Sequence, residues 1–315
     1  MNILILDGYT LNPGDLSWDR LAAIGNLIYY DRTPADLVAE RCKHAHVILT
    51  NKVPVTSETI RQATDLKLIS VLATGYNIVD TVAARQQNIP VCNVPGYGTD
   101  SVAQHTWALI LELTNRVGRH ADSVQAGEWV SSADWCYVKS PILELAGKTL
   151  GIIGFGNIGR KVAEIGKAFG MNIIFCNRSQ LSCEWATQKK LNQVVAESDM
   201  LSLHCPVTPD NQQFVNKNIL ALMKPTAFLV NTARGQLVHE QDLADALNAG
   251  QLAGAALDVL SAEPPKPENP LLSAKNCLIT PHNAWISFEA RQRIMQATIA
   301  NIQAHLAGKP INVIN

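Results

Sequence analysis

Apolar positions along this chain come in short blocks. Ile3–Leu6, His46–Leu49, Leu68–Leu72 and Pro90–Val94 are brief runs rich in β-branched residues, and more polar stretches such as Pro34–Lys43 and Thr56–Thr64 separate them. Blocks of that length predict strands buried on both faces, and the stretches between them predict crossover helices, so the region reads as βαβ units on a parallel sheet. Residues 100–117 carry apolar side chains nearly all round, which predicts a helix buried between domains. Gly118–Pro141 has no such period. It is aromatic and irregular, with Trp129, Trp135 and Tyr137. Two readings stand for it: a subunit contact, or a loop packed on its own domain.

A second βαβ series begins at Lys148. The pattern predicts strands at Thr149–Ile153, Asn172–Cys176, Met200–His204, Ala227–Asn231, Ala253–Asp258 and Cys277–Ile279. Between the first two lies a helix, Ile158–Phe169, with Ile158, Val162, Ile165, Gly166 and Phe169 on one face. A last helix, Phe288–Leu306, places Met295, Ile299, Ile302 and Leu306 at helical spacing, and Gly308 and Pro310 end it. No segment repeats in tandem. The expected fold class is α/β, with two Rossmann-like or flavodoxin-like domains on parallel sheets. Residues 1–99 with 284–315 form one domain, and residues 100–283 form a second inserted into it.

Composition narrows the partners. The 315 residues exceed one typical core, and 47% of them are apolar. Lys and Arg number 26 against 27 Asp and Glu, a balance that argues against nucleic acid or a membrane surface as partner. Seven cysteines, an odd number without CxxC spacing, indicate neither a disulfide framework nor a zinc site. The amino end has no basic region before an apolar core, and no run approaches a membrane span. A soluble, cytoplasmic protein with reduced thiols is expected. His44 and His46 lie at alternate positions entering a strand, with no carboxylate cluster nearby, so no metal is expected.

Gly154-Phe155-Gly156-Asn157-Ile158-Gly159 follows an apolar strand and opens an amphipathic helix, the setting in which GxGxxG binds a dinucleotide. Gly154 permits a tight turn, Gly156 permits close approach of a pyrophosphate, and Gly159 permits close packing of helix on strand. The first helical turn, with Asn157 and Ile158, offers N–H groups and a partial positive charge. At the end of the next strand an acid would accept from the ribose hydroxyls of NAD. This chain has Asn177 and then Arg178. A neutral amide beside a guanidinium suits a 2′-phosphate. NADP(H) is the expected preferred cofactor, with NAD(H) also accommodated.

Three further residues follow predicted strands, where open α/β sheets place their ligands. They are Arg234 within Asn231-Thr232-Ala233-Arg234-Gly235, Glu263 before Pro264-Pro265, and His282 after Pro281. A dinucleotide delivers hydride to a carbonyl, and that step also needs an anchoring cation and a proton donor. Arg234 suits the anchor and polarises the carbonyl. His282 suits the proton, because an imidazole can give or take one near neutral pH. Glu263 would orient the imidazole and favour its charged form.

With these pieces in place the chain resembles the D-isomer-specific 2-hydroxyacid dehydrogenase family over nearly its full length. The matching stretches are Ala73-Thr74-Gly75-Tyr76-Asn77, Gly154–Gly159, His204-Cys205-Pro206, Asn231–Gly235, Asp258 with Glu263, and Pro281-His282-Asn283-Ala284. Leu6-Asp7-Gly8-Tyr9 and Thr50-Asn51-Lys52-Val53 are most similar to the glycerate dehydrogenase (hydroxypyruvate reductase) branch. The departure is Asn177, where NAD-using members carry an acid. The resemblance implies an oxidoreductase acting on a small 2-oxo or 2-hydroxy acid, with hydroxypyruvate or glyoxylate leading. It also implies a homodimer, and substrate carboxylate contacts from the backbone at Thr74 and Gly75 across an interdomain cleft. Cys205, Pro206 and Asn211 would border the adenosine and phosphates, and Thr232, Ala233 and Asp258 the nicotinamide. Asp258 equally reads as the holder of a turn, and Trp285 as a pocket wall or as core. The rival reading is a dinucleotide-sensing corepressor on the same fold, although the chain has no long polar tail for recruiting partners. Formate dehydrogenase fits less well, since Glu263 stands where it has an amide. A short phosphoglycerate dehydrogenase also remains.

Overall fold

The computed structural model describes residues 1–315 and divides into two compact units: Met1–Gly98 with Trp285–Asn315, and Thr99–Ala284. The first unit holds strands β1 (Asn2–Ile5), β2 (Asn26–Tyr29), β3 (Val47–Thr50), β4 (Leu68–Val71) and β5 (Val91–Cys92). They form a parallel sheet in the order β2-β1-β3-β4-β5. Side chains alternate across the pleat. Leu4, Leu6, Ile48 and Ile69 meet Val38, Ile60 and Ala84 in one core, while Ile3, Ile5, Val47, Leu49 and Leu68 meet Ile294, Ile299 and Ile302 in the other. Each such side chain, once fully buried, contributes roughly 1.5–3 kcal/mol. This double burial is what the unbroken apolar runs encode. Strand β2 escaped the pattern because it is an edge strand and its residues are mostly exposed. The opposite edge, β5, is covered by residues 312–314: Asn312 O accepts from Asn93 N, Ile314 N donates to Val91 O, and Val313 bridges antiparallel to Cys92.

The second unit holds β6 (Thr149–Ile153), β7 (Asn172–Cys176), β8 (Thr187–Gln188), β9 (Met200–Leu203), β10 (Phe228–Asn231), β11 (Gly254–Leu257) and β12 (Cys277–Ile279). The parallel sheet runs β12-β11-β10-β9-β6-β7-β8. The six strands expected from the pattern are present. The two-residue edge strand β8 is too short to leave a signal. Connections leave β6 toward β7 and β8, but β9 lies on its other side. The order therefore reverses between β6 and β9, and in such sheets ligands bind beyond the carboxyl ends of the strands at that point.

Helix Thr99–Asn115 buries Ala103, Trp107, Ile110 and Leu113 in the core of this second unit, and Trp107 Nε1 donates to Val162 O at 3.0 Å. It stops because Arg116 turns left-handed, at φ 51°. The following segment corrects the sequence reading. Val117–Gln125 is a helix, so Gly118–Pro141 is irregular only beyond it. One polar and one weakly apolar face hid its period behind the aromatics that follow. In the remaining loop Trp129 Nε1 donates to Trp135 O at 3.1 Å, and Lys139 pairs with Glu128. No helix is long and apolar enough to cross a membrane.

Candidate functional site

The glycine-rich turn sits where β6 and β9 diverge. Gly154 has φ +97°, a left-handed conformation, and a β-carbon there would lie 2.6 Å from Cys205 N. Only glycine fits both demands. A β-carbon on Gly159 would come within 2.2 Å of Gly154 O and 3.0 Å of Ile152 Cγ2, so this glycine lets the helix sit down on the strand. Gly156 differs, because a β-carbon there would meet nothing within 4 Å. No packing within the protein requires a glycine at this position. Helix Asn157–Ala168 starts at Gly156 with no side-chain cap, and its first intrahelical bond runs from Arg160 N to Gly156 O. The N–H groups of Asn157, Ile158 and Gly159 thus have no helical acceptor. An open backbone approach beside an uncapped helix N-terminus fits a dinucleotide pyrophosphate.

Asn177 follows β7 and faces this turn: its Oδ1 accepts from Phe155 N at 3.2 Å, and its Nδ2 donates to Ser179 O at 3.4 Å. Arg178 beside it is exposed and has no ion pair. Beyond β9, His204 Nε2 bonds Ser202 Oγ at 2.8 Å while Nδ1 is buried without a partner, and burial pushes its pKa down to about 3. Burial pushes the Cys205 thiol up to about 11, so it stays protonated and inert. Pro206 is exposed. Asn211 is engaged locally, with Oδ1 accepting from Thr208 N and Nδ2 donating to Pro206 O. It shapes the loop carrying Cys205 and Pro206.

Strand β10 delivers the arginine. Buried Asn231 holds the turn, since its Oδ1 accepts from Ala233 N at 3.0 Å and its Nδ2 donates to Arg234 O at 2.9 Å. Buried Thr232 bonds Thr106 Oγ1 at 2.9 Å, and Ala233 is half-buried. The Arg234 side chain is exposed and donates from Nη1 to Ala233 O at 2.6 Å. Next to it, a β-carbon on Gly235 would strike Leu260 C at 1.9 Å. The arginine turn therefore presses on the backbone just ahead of Glu263. Gln236 Nε2 donates to Ser261 O at 3.0 Å, and Glu240 Oε1 accepts from Ser261 N at 2.7 Å.

Glu263 and His282 are brought together. Glu263 Oε2 lies 2.6 Å from His282 Nδ1, and Oε1 accepts from Leu260 N at 3.0 Å. With Nδ1–H donating to the carboxylate, Nε2 is the ring nitrogen outside that bond. His282 adopts φ +52°, rare for a residue with a β-carbon. Asp258 supports it. Asp258 is 1% exposed, and its Oδ1 accepts from Thr280 Oγ1 (2.6 Å) and Asn283 N (3.0 Å), its Oδ2 from Ala284 N (2.9 Å). Burial alone would raise its pKa, but bonds from His105, Thr280, Ala284 and Asn283 outweigh that and hold it below the usual carboxylate range. Of its two sequence readings, this geometry is that of the turn holder.

Sequence reasoning missed four residues, two around this turn and two beside the segment that carries Glu263. His105 Nε2 lies 3.0 Å from Thr280 Oγ1 and 3.4 Å from Asp258 Oδ1, and Ser101 Oγ donates to Ala284 O at 2.7 Å. Gln236 and Glu240 are the others. A histidine inside an otherwise apolar helix was the one available signal. In the first unit, Thr74 and Gly75 follow β4, with Thr74 Oγ1 donating to Val94 O at 2.7 Å and Thr74 O accepting from Asn93 Nδ2. Trp285 packs edge-on against Tyr97 and joins the core, which is its second reading.

Comparisons with known proteins follow this geometry. Residues 107–284 match the NAD binding domain of D-isomer specific 2-hydroxyacid dehydrogenases. The chain is 44% identical to a hydroxypyruvate reductase of Blautia hydrogenotrophica, with 100% of both chains covered. It is 40% identical to a glycerate dehydrogenase of Methylorubrum extorquens, over 90% of this chain and 89% of that one. Among solved structures it superposes with TM-score 0.87 on an NADPH-dependent glyoxylate/hydroxypyruvate reductase of Sinorhizobium meliloti, at 26% identity and covering 99% and 97% of the two chains. The chain belongs to the D-isomer specific 2-hydroxyacid dehydrogenase family.

Proposed function

We propose that this enzyme reduces hydroxypyruvate and glyoxylate, with NADPH preferred over NADH. The observation that carries the reading is the 2.6 Å contact of Glu263 with His282, which leaves His282 Nε2 for the substrate oxygen. When bound, the reduced nicotinamide supplies the hydride. Arg234 binds the substrate carboxylate and draws electron density from the carbonyl. His282 gives its Nε2 proton to the carbonyl oxygen as charge builds there, and takes one in the reverse direction. Glu263 fixes the ring plane. Thr74 and Gly75 remain substrate-binding residues in this reading. The exposed, unpaired Arg178 beside neutral Asn177 supports a 2′-phosphate. The relatives named above support the substrates.

Initial rates with hydroxypyruvate, glyoxylate, pyruvate and 3-phosphohydroxypyruvate, each with NADPH and with NADH, test the proposal. NADPH-linked turnover of the first two is expected. Turnover with NADH alone would discard the cofactor preference, and turnover of neither substrate would discard the reading.

We further propose that the enzyme is a homodimer. Supporting this, a groove of about 410 Å³ lies between Asn115, Val117, His120, Ala121, Val124 and Ile142, with apolar walls. Val117, Val124 and Ile142 are exposed there, as are Trp129, Val130, Trp135 and Val138 in the loop that follows. An apolar groove with exposed walls of this kind marks an association surface. Sedimentation of Val117→Asp as a monomer, against a dimeric wild type, is the expected result.

A further inference from the structure

His282 occupies a left-handed backbone conformation, at φ +52°, that is unfavourable for a residue with a β-carbon, so its surroundings must hold it there. Within the turn, His282 N donates to Thr280 O at 3.0 Å. Asp258 grips residues on both sides of the histidine, through Thr280 before it and Asn283 and Ala284 after it. A second clamp comes from helix Thr99–Asn115. Ser101 and His105 are four residues apart and share one helical face. Ser101 Oγ holds Ala284 O at 2.7 Å, and His105 Nε2 holds Thr280 Oγ1 at 3.0 Å. The two contacts grasp opposite ends of the turn.

The protons can be assigned. Thr280 Oγ1 donates to Asp258 Oδ1, so the proton in the His105–Thr280 bond comes from His105 Nε2. The same N–H lies 3.4 Å from the Asp258 carboxylate. The helix is itself anchored by Thr106 on Thr232 and Trp107 on Val162. It is therefore a rigid base from which two polar side chains set the turn.

We propose that Ser101 and His105 are positioning residues for proton transfer, keeping the Thr280–Ala284 turn in the left-handed form that sets the His282 imidazole on Glu263. Both act through the turn, by way of Ala284 O and Thr280 Oγ1. The inference rests on His282 being the proton donor. A Gln at position 105 places an amide N–H where His105 Nε2–H stands, so it preserves the donation. An Ala removes it.

The test compares H105A, H105Q, S101A and H282A as full-length enzymes, by kcat, hydroxypyruvate KM, NADPH Kd from fluorescence, and the solvent deuterium isotope effect. A small displacement of a reacting group lowers turnover steeply, so H105A should lose about 10- to 100-fold in kcat. Its KM and NADPH Kd should stay within about threefold of wild type, the pattern of an interaction felt only in the transition state. Its isotope effect should rise as proton transfer becomes limiting, H105Q should recover most of kcat, and S101A should show a smaller loss of the same kind. Wild-type kcat in H105A, equal impairment of H105A and H105Q, or a loss carried mainly in NADPH Kd would overturn the proposal. If H105A does not fold, S101A decides, and an unchanged kcat there overturns it. An active H282A would remove the underlying reading, whereas inactive H282A beside fully active H105A and S101A would remove this inference alone.

Discussion

Among the left-handed turns of the second unit, those at Gly154 and His282 reach that backbone by opposite means. At Gly154 the side chain is deleted, and Gly159 lets the helix close onto the turn. At His282 the side chain is the point of the turn, so the conformation is imposed from outside by Asp258, Thr280, Ser101 and His105. The first turn is spelled within six consecutive residues, although Cys205 crowds Gly154 and Asn177 bonds Phe155 N from outside it. The second is a consensus among residues far apart in the chain. A local turn should fail by steric clash at its own positions, and an imposed turn by loss of distant hydrogen bonds.

The largest expected effect belongs to the imposed turn. His282→Ala should lower kcat by about 10²- to 10⁴-fold, the usual worth of a positioned acid–base group, with little change in NADPH binding. A kcat near wild type would end its assignment as proton donor. The glycine turn should break differently. Gly159→Ala puts a methyl group 2.2 Å from Gly154 O, and overpacking of that kind costs roughly 1–3 kcal/mol. Titration should show weakened NADPH affinity and a lowered Tm together, whereas the His282 variant should keep both. At the far end of the cofactor site, Arg178→Ala should reduce kcat/KM for NADPH by about tenfold or more, the worth of one charge-assisted contact, and leave NADH nearly unchanged. Equal losses with both cofactors would mean that Arg178 does not read the 2′-phosphate.

The effect that is smallest at neutral pH, and grows only on acidification, concerns a buried histidine. His204, beside the glycine turn, has its pKa depressed to about 3 from 6.5. Below pH 6.5 the unfolded chain takes up a proton that the folded chain refuses. Stability is complete above that pH and falls as pH drops toward about 3, by up to about 1.4 kcal/mol per unit. His204→Asn should flatten that acid limb in a Tm-versus-pH series. An unchanged slope would place the acid sensitivity elsewhere.

This contrast also explains what the sequence disclosed. The glycine turn was readable because the positions that must lack a β-carbon lie within six residues and leave a fixed spelling. The buried strands were readable because double burial writes unbroken apolar runs, whereas edge strands β2 and β8 wrote nothing distinct. Arg234, Glu263 and His282 showed themselves by position after strands and by resemblance. Their supports did not, because Ser101 lies 183 residues from Ala284 and His105 lies 175 from Thr280. No local pattern can announce a hydrogen bond of that span. Asp258 could be read two ways until its burial and its donors were visible. Helix Val117–Gln125 was obscured by the aromatic residues after it.

The pairing of residues 312–314 with β5 bears on the order of events on the ribosome. Translation at about 5–20 residues per second finishes the inserted unit, Thr99–Ala284, before its host, because the host still lacks helix Phe288–Leu306 and the segment that closes β5. Until those residues emerge, the nascent host sheet carries an open strand edge and a bare apolar face, the features that recruit chaperones or wrong neighbours.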